Sequence, residues 1–291
     1  MYYLIYPLLY LFSLLPLRVL YFISDSLYGI LYHVVKYRRN VVMDNLKIAF
    51  PQKTAQELIA IEKGFYHKFI DSMIETIKLF SAPDNFFEKR FSGNWEVVEQ
   101  YYNQGRSVQL HLGHNFNWEW GNMMIAHKTS FQFLGVFMPL HNKAFDKIFR
   151  RLRSRGGAKL IDATRMSREF LPYRRSLYCL GLIADQSPGM VHKAKWFHFF
   201  NRKTAFTVGP AKNAITNNAV IIFAFINRIK RGYYEVSFTV CTEEPRAQNE
   251  DQLTLQFVNN LENSISQYPD MWLWSHRRWK HEWKKEYEVT E

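Results

Sequence analysis

Val108-Gln109-Leu110-His111-Leu112-Gly113-His114-Asn115-Phe116-Asn117-Trp118-Glu119 is an apolar run followed by a glycine, a short loop and an acid. Residues 108–112 read as a buried strand, and helical spacing resumes near Trp118. If the strand ends at Gly113 and a helix starts near Asn117, His114 hangs from the strand end. Glu119 then lies in the first helical turn and can fold back toward the imidazole. A carboxylate bonded to one ring nitrogen leaves the other free to take a proton, as a general base acting on a hydroxyl requires. Spacing alone is a weak signal. With 10 His among 291 residues and 26 acids, a His-x4-acid pair arises about once by chance. His141 with Asp146 and His281 with Glu286 are two more such pairs, but both sit in charged segments that read as solvated helix faces. Only His114 follows a strand and a glycine.

Outward from this segment, short strands alternate with helices. Residues 108–112, 131–137, 159–161, 177–184, 220–226 and 234–240 read as strands. Helices are expected near 118–126, 143–153, 208–216 and 252–266. This alternation predicts an α/β fold, a mixed, mostly parallel sheet flanked by helices. Arg231-Gly232 reads as a hairpin turn, which makes the last two strands antiparallel. In open sheets of this kind chemistry gathers at the carboxyl ends of strands, and His114 and Asp185 both fall just past such ends. Upstream, Thr54-Ala55-Gln56-Glu57 is a capping box. After it Leu58, Ile61, Phe65, Phe69, Met73, Ile77 and Phe80 recur at helical spacing, with a polar face of Lys63, His67, Lys68, Asp71 and Glu75. A long amphipathic helix ending before Pro83 is expected.

Composition narrows the partners. The net charge of +12 implies an anionic one: a membrane surface, a phosphorylated lipid, an acidic protein or nucleic acid. No nucleic-acid module signature is present. Aromatics make up 17% of the chain, which suits either contact with lipid or an aromatic core. The two cysteines, Cys179 and Cys241, lie in apolar strand-like segments, with no disulfide framework and no CxxC motif. Residues 1–17 carry no charge, residues 19–35 carry only Asp25, and Lys36, Arg38 and Arg39 follow. We expect an N-terminal membrane-embedded helical segment over residues 1–36 and a second unit over 37–291. Early positive charge and a small-residue cleavage site, the marks of a signal peptide, are missing. Pro7 and Pro16 kink helices and Arg18 is costly at mid-bilayer, so the segment crosses once or lies in the interface as two short helices. The cations at 36–39 place the remainder on the cytoplasmic side. A buried helical pair of a soluble core meets the same length criterion.

With these residues placed, the chain resembles the lipid A biosynthesis acyltransferase family, the late lauroyl and myristoyl transferases. The resemblance begins at an apolar amino terminus followed by Tyr37-Arg38-Arg39, Asn45-Leu46 and Phe50-Pro51. It continues through Phe65-Tyr66, Glu75, Gly113-His114 and Asn117-Trp118-Glu119, then Arg151-Leu152-Arg153-Ser154, Asp185-Gln186, Thr204-Ala205 and Gly209-Pro210-Ala211. It closes at Trp272-Leu273-Trp274-Ser275-His276-Arg277-Arg278-Trp279-Lys280. Single pieces are weak; their order and spacing together are specific. The resemblance implies a glycerolipid-acyltransferase-like fold. It also implies transfer of a fatty acyl group from an acyl carrier protein thioester to a hydroxyl of a lipid A precursor, an anionic lipid, at the inner membrane and without metal or cofactor. His114 is then the general base, oriented by Glu119. Arg151 lies near the thioester carbonyl, and Asp185 is the acid following a strand on the far side. Asn117, Arg153, Gln186, Gly209 and Pro210 are implied to bind substrate. Arg151 equally reads as one of a solvated cluster, and Asp185 as a cap or turn residue. The chain carries Phe116 where the family loop has glycine, so the loop bends differently or Phe116 packs on acyl chain.

Other readings remain open. His111, His114 and Glu119 suggest a zinc hydrolase, although His111 and His114 point to opposite faces of a strand and a third convincing ligand is lacking. Charge and aromatics alone fit a non-enzymatic membrane binder. The same mechanism also fits a different acceptor, a glycerophospholipid or an aminolipid. Two basic clusters, Arg150 to Arg155 and Lys193 to Lys203, suit lipid phosphates or the acidic carrier protein. Trp272, Trp274, Trp279 and Trp283, interleaved with Arg and Lys, suit a membrane interface, with some of them in the core.

Overall fold

The computed structural model describes residues 1–290. Its main sheet holds β1 (Phe91–Gly93), β2 (Val108–Leu112), β3 (Gln132–Phe137), β4 (Lys159–Asp162), β5 (Tyr178–Ile183), β8 (Val220–Lys230) and β9 (Tyr233–Thr242). The order is β1-β9-β8-β2-β5-β3-β4. Every ladder is parallel except β8–β9, whose antiparallel pairing turns at Arg231-Gly232. Gly232 has φ +77°, the left-handed backbone that such a turn requires and that glycine adopts at no steric cost. The expected α/β fold with a mixed, mostly parallel sheet is present. Helices Trp118–Lys128, Lys143–Arg153, Gly209–Asn217 and Glu250–Gln267 lie where the pattern placed them.

β2 sits inside the sheet, flanked by β5 and β8, and all five of its residues are buried. Its alternate side chains enter different clusters. Val108, Leu110 and Leu112 pack with Trp120, Met123 and Leu152 on one face. His111 turns to the other face, edge-on to Phe257 of helix Glu250–Gln267. Burial lowers His111 to about 4, so the ring is neutral, and its Nε2 lies 3.1 Å from the Gln109 side chain.

A second sheet was not legible. β6 (Ala194–Phe199) and β7 (Arg202–Thr207) form a hairpin, and β10 (Val289–Thr290) adds to β6 in parallel. The turn at Phe200-Asn201 contains no glycine, although Phe200 has φ +52°, so the usual hairpin signal was missing. Interleaved cations also hid the strand period. Phe197, Phe199 and Phe206 of this hairpin join Phe257, Leu261, Trp272 and Trp274 in one buried cluster. Trp272, Trp274 and Trp279 are therefore core residues and not interface anchors, as their burial shows.

The amino terminus forms two helices, Tyr2–Leu14 and Leu17–Gly29, the second continuing as a π-helical turn to Val35. They meet at an angle of 117° across Leu15-Pro16. Pro7 lies within the first helix without ending it. No single helix among the described residues is long and apolar enough to cross a membrane, while the bent pair together meets that length and composition. Two short helices are thus observed. Tyr2, Ile5, Tyr6 and Leu9 pack on the core. Tyr3, Leu4, Leu8 and Leu11 turn outward, with Tyr3 82% and Leu4 70% exposed.

Polar contacts fix these helices to the long helix Ala55–Ile77, which starts at the expected capping box. Asp71 and Glu75, expected on its polar face, are buried, because the helix Leu17–Gly29 and the β8–β9 hairpin cover them. Asp71 accepts from Ser24 Oγ (2.6 Å), Arg228 Nη2 (2.8 Å) and Arg231 Nε (2.9 Å). Glu75 accepts from Tyr21 (2.7 Å), Tyr234 (2.5 Å) and Asn117 Nδ2 (3.2 Å). Burial raises the Glu75 carboxyl against these donors. Removing one partner of a buried ion pair leaves the other charge uncompensated, at a cost of about 3–5 kcal/mol. Asp71→Ala is therefore expected to lower unfolding stability by about that amount, measured by denaturant titration in detergent, and to loosen the helix Leu17–Gly29 to proteolysis first. A loss below about 1 kcal/mol would mean that the Arg228 and Arg231 contacts do not hold the hairpin.

Candidate active site

β2 and β5 are parallel neighbours in the register Leu112↔Ile183. The ladder runs one step further, the Ala184 N–H donating to Leu112 O at 3.2 Å. The loops leaving the two strands therefore emerge side by side at their carboxyl ends, and His114 meets Asp185. The Asp185 Oδ1 lies 2.5 Å from His114 Nδ1, and its Oδ2 accepts from the His114 backbone N–H at 2.8 Å. The Trp272 indole N–H donates to the same Oδ2 at 2.6 Å. Asp185 is 1% exposed, whereas 19% of the His114 side chain remains open to solvent. Burial pushes the Asp185 carboxyl upward, but the facing His114 and the hydrogen bonds from His114 and Trp272 outweigh it and bring it down to about 2. Gly113 makes this approach possible. A Cβ there would lie 2.7 Å from Leu261 Cδ1, 3.1 Å from Asn115 Oδ1 and 3.4 Å from Asp185 Oδ2.

An ionised carboxylate on Nδ1 fixes the tautomer with its proton there and leaves a lone pair on Nε2. That nitrogen is 3.3 Å from Gln186 Nε2. The Trp118 ring stands edge-on to the imidazole with centroids 5.3 Å apart. This is an imidazole poised to accept a proton, oriented by a buried acid from another strand.

Glu119 does not make the expected bond to His114. It lies in the first turn of its helix, as foreseen, but its carboxylate accepts from Arg153 Nε (2.9 Å) and Nη2 (2.5 Å) and from the Trp118 indole (3.1 Å). A fork-shaped guanidinium satisfies both carboxylate oxygens at once, which an imidazole nitrogen cannot. Arg153 is thus brought to Glu119. Arg151, two residues earlier, falls on another side of the same helix. Its guanidinium stacks 4.6 Å from the Tyr6 ring centroid, on the first helix of the chain. Asn117 is fully buried as the helix N-cap, its Oδ1 accepting from Trp120 N and its Nδ2 donating to Glu75. Pro210 and its neighbour Gly209 start helix Gly209–Asn217, whose Asn213 meets the Gln109 side chain near the amino-terminal end of β2 and not near His114. Phe116 packs on Phe65 and Phe69 within the core, and it adopts no left-handed backbone.

Sequence reasoning missed how the carboxyl-terminal segment closes the site. Asn115 forms an isolated bridge with Trp272, and Phe116 N–H donates to Met271 O at 3.2 Å. Ser187 N–H donates to His276 Nε2 at 3.0 Å, and Ser187 Oγ to Arg278 O at 2.5 Å. His281 Nε2 lies 3.0 Å from Pro188 O. Burial lowers His276 to about 4, in keeping with a ring nitrogen that accepts. Burial also lowers Arg278, to about 9, so it keeps its charge at neutral pH. Nothing local marks Trp272 as a partner of Asp185, and the sequence reading gave it no place in the site. Along the same edge of the sheet, past β3 and β4, an open cleft is lined by Met138, Leu140, His141, Arg150, Asp162, Arg165 and Glu169. Among the described residues no group of three or more His, Cys, Asp or Glu side chains is gathered to hold a metal, and His111 and His114 face apart.

Comparison with known proteins adds to this geometry. Residues 1–281 match the family described as bacterial lipid A biosynthesis acyltransferase. The lipid A biosynthesis palmitoleoyltransferase of Escherichia coli (strain K12) is 21% identical over 274 residues, which is 94% of this chain and 88% of that protein. The lipid A biosynthesis acyltransferase of Shigella flexneri is similar to the same degree and over the same extent. With a match spanning nearly its whole length, the chain belongs to the bacterial lipid A biosynthesis acyltransferase family.

Proposed function

We propose that this protein moves a fatty acyl chain from an acyl carrier protein thioester to a hydroxyl of a lipid A precursor, with His114 as general base and Asp185 as the residue that orients it. The observation that carries this reading is the His114–Asp185 pair at the carboxyl ends of adjacent parallel strands, in a member of this family. The Nε2 lone pair of His114 takes the proton of the acceptor hydroxyl as its oxygen attacks the thioester carbonyl carbon. The C–S bond then breaks, and the imidazolium returns the proton to the departing sulfur. Asp185 keeps the proton on Nδ1 and stabilises the imidazolium between the two steps. Gln186 occupies the space beside Nε2 until the acceptor hydroxyl replaces it. Glu119 and Arg153 act through Trp118, whose indole spans from the Glu119 carboxylate to the imidazole edge. Arg151 holds the amino-terminal helix through the Tyr6 ring.

Residues 1–36 are the membrane-embedded anchor in this reading and residues 37–291 the acyltransferase domain. The outward apolar side chains of the two kinked helices support insertion into the cytoplasmic leaflet of the inner membrane. A carrier-borne thioester is a cytosolic donor, which agrees with a site on that side.

His114→Ala is expected to lower acyl transfer by about 10²–10⁴-fold, read by mass spectrometry of lipid products from acyl carrier thioesters and a panel of lipid acceptors, while membrane association is unchanged. Unaltered turnover in this variant would remove the general base from the proposal. An acceptor other than a lipid A precursor acylated faster in the same panel would move the substrate to another membrane lipid. Asp185→Asn should reduce kcat with little change in KM, because it acts through the imidazole. The same residue sets an acid-stability window. Its pKa is lowered on folding, so its contribution is present above the ordinary 3.8 and is lost as pH falls toward about 2. Asp185→Asn is expected to flatten the stability curve across that interval in urea titrations. An unchanged slope would contradict the ionised pairing with His114.

A further inference from the structure

The two basic clusters read from the sequence have separate fates in the fold. The first is used internally. Arg150 pairs with Asp146 at 2.6 Å, Arg153 with Glu119 at 2.5 Å and Arg155 with Asp84 at 2.9 Å, and Arg151 lies on Tyr6. The second is extended by the carboxyl-terminal segment. Lys193, Arg277 and Lys280 are exposed, and among the described residues none of the three has a carboxylate within 4.0 Å.

These three cations border the loop that carries Asp185 and Gln186. Lys193 ends the turn Val191–Lys193 that follows this loop. The Arg277 and Arg278 carbonyls accept from Ser187 Oγ, and Lys280 stands between Trp279, bonded to Thr204, and His281, bonded to Pro188. The outward apolar helix Tyr2–Leu14 rests on the sheet face that holds Val108, Leu110 and Leu112. The β6–β7 hairpin packs instead with Phe257, toward which His111 turns, so it lies on the opposite face. The helix Leu17–Gly29 joins the hairpin's own buried cluster through Leu20, so the rim is marked out by its exposed cations and its place beside the loop of Asp185 and Gln186.

We propose that Lys193, Arg277 and Lys280 form the docking surface for the acidic carrier protein that delivers the acyl thioester. This rests on the donor named in the proposed function. A rim of unpaired cations next to the site attracts an acidic partner over roughly one Debye length and raises its association rate, an effect that salt removes. The alternative basic patch, Arg174, Arg175 and Arg246, lies near the starts of β5 and β8, at the far end of the sheet from His114.

The test uses the full chain in detergent micelles, with acyl-acyl carrier protein and acyl-coenzyme A as donors. In the triple variant Lys193→Glu, Arg277→Glu, Lys280→Glu, KM for the carrier-bound donor is expected to rise about tenfold, with kcat and the coenzyme A reaction unchanged. Wild-type KM for the carrier-bound donor should climb with added salt and the variant's should not. Wild-type turnover of the carrier donor with no KM change in the triple variant overturns the docking surface and leaves the donor reading standing. Failure of the wild type on the carrier donor, with turnover of the coenzyme A donor, overturns the donor reading itself. An equal rise in KM for Arg174→Glu, Arg175→Glu, Arg246→Glu also counts against the assignment, since it reflects overall charge. Loss of binding to vesicles of anionic phospholipid, with KM for the carrier unchanged, assigns the rim to the membrane instead.

Discussion

The site rests on one carboxylate that is almost completely withdrawn from water. Asp185 accepts three hydrogen bonds, two from His114 and one from Trp272. A buried carboxylate without such donors takes up a proton, and it would then cease to hold the imidazole tautomer. The donors come from two places far from Asp185 in the chain: the loop after β2 and the carboxyl-terminal segment. Each must be in position before the other is useful. Trp272 of the tail segment therefore positions the acid, although the tail tryptophans read in sequence as membrane-interface residues with some of them in the core.

The same logic extends to the amino terminus. Its two helices expose apolar side chains outward, yet they are not a detachable anchor. Ser24 and Tyr21 donate to Asp71 and Glu75, and Glu75 in turn holds Asn117, the N-cap of the helix that carries Glu119. A short relay of buried polar groups thus joins the apolar helices to the loop bearing His114. Burial of Asp71 and Glu75 is tolerated because each finds several donors, two of them on charged guanidinium groups at Asp71.

Much of this was legible in the sequence. The strand at 108–112, the alternation that follows it and the capping box at Thr54 all depend on local periodicity and on side chains within a few positions of one another. The placement of His114 and Asp185 just beyond strand ends was readable for the same reason. The partner of His114 was not. Glu119, five residues away, was the local candidate, but Arg153 offers it a two-pronged partner from another helix, and Asp185 arrives across a parallel ladder. The β6–β7 hairpin escaped because its turn has no glycine and its cations obscured the alternation.

The sequence by itself determined the elements and their order, since helix and strand periods, caps and turns are properties of neighbouring residues. It also determined the net charge of +12, because net charge needs no fold. Only the tertiary structure decided which acid meets the imidazole, which tryptophans are core, and which cations lack an acidic partner. Those outcomes depend on contacts between residues tens to hundreds of positions apart. In such contacts geometry and competition for hydrogen-bond donors choose the partner, and spacing along the chain carries no information about them.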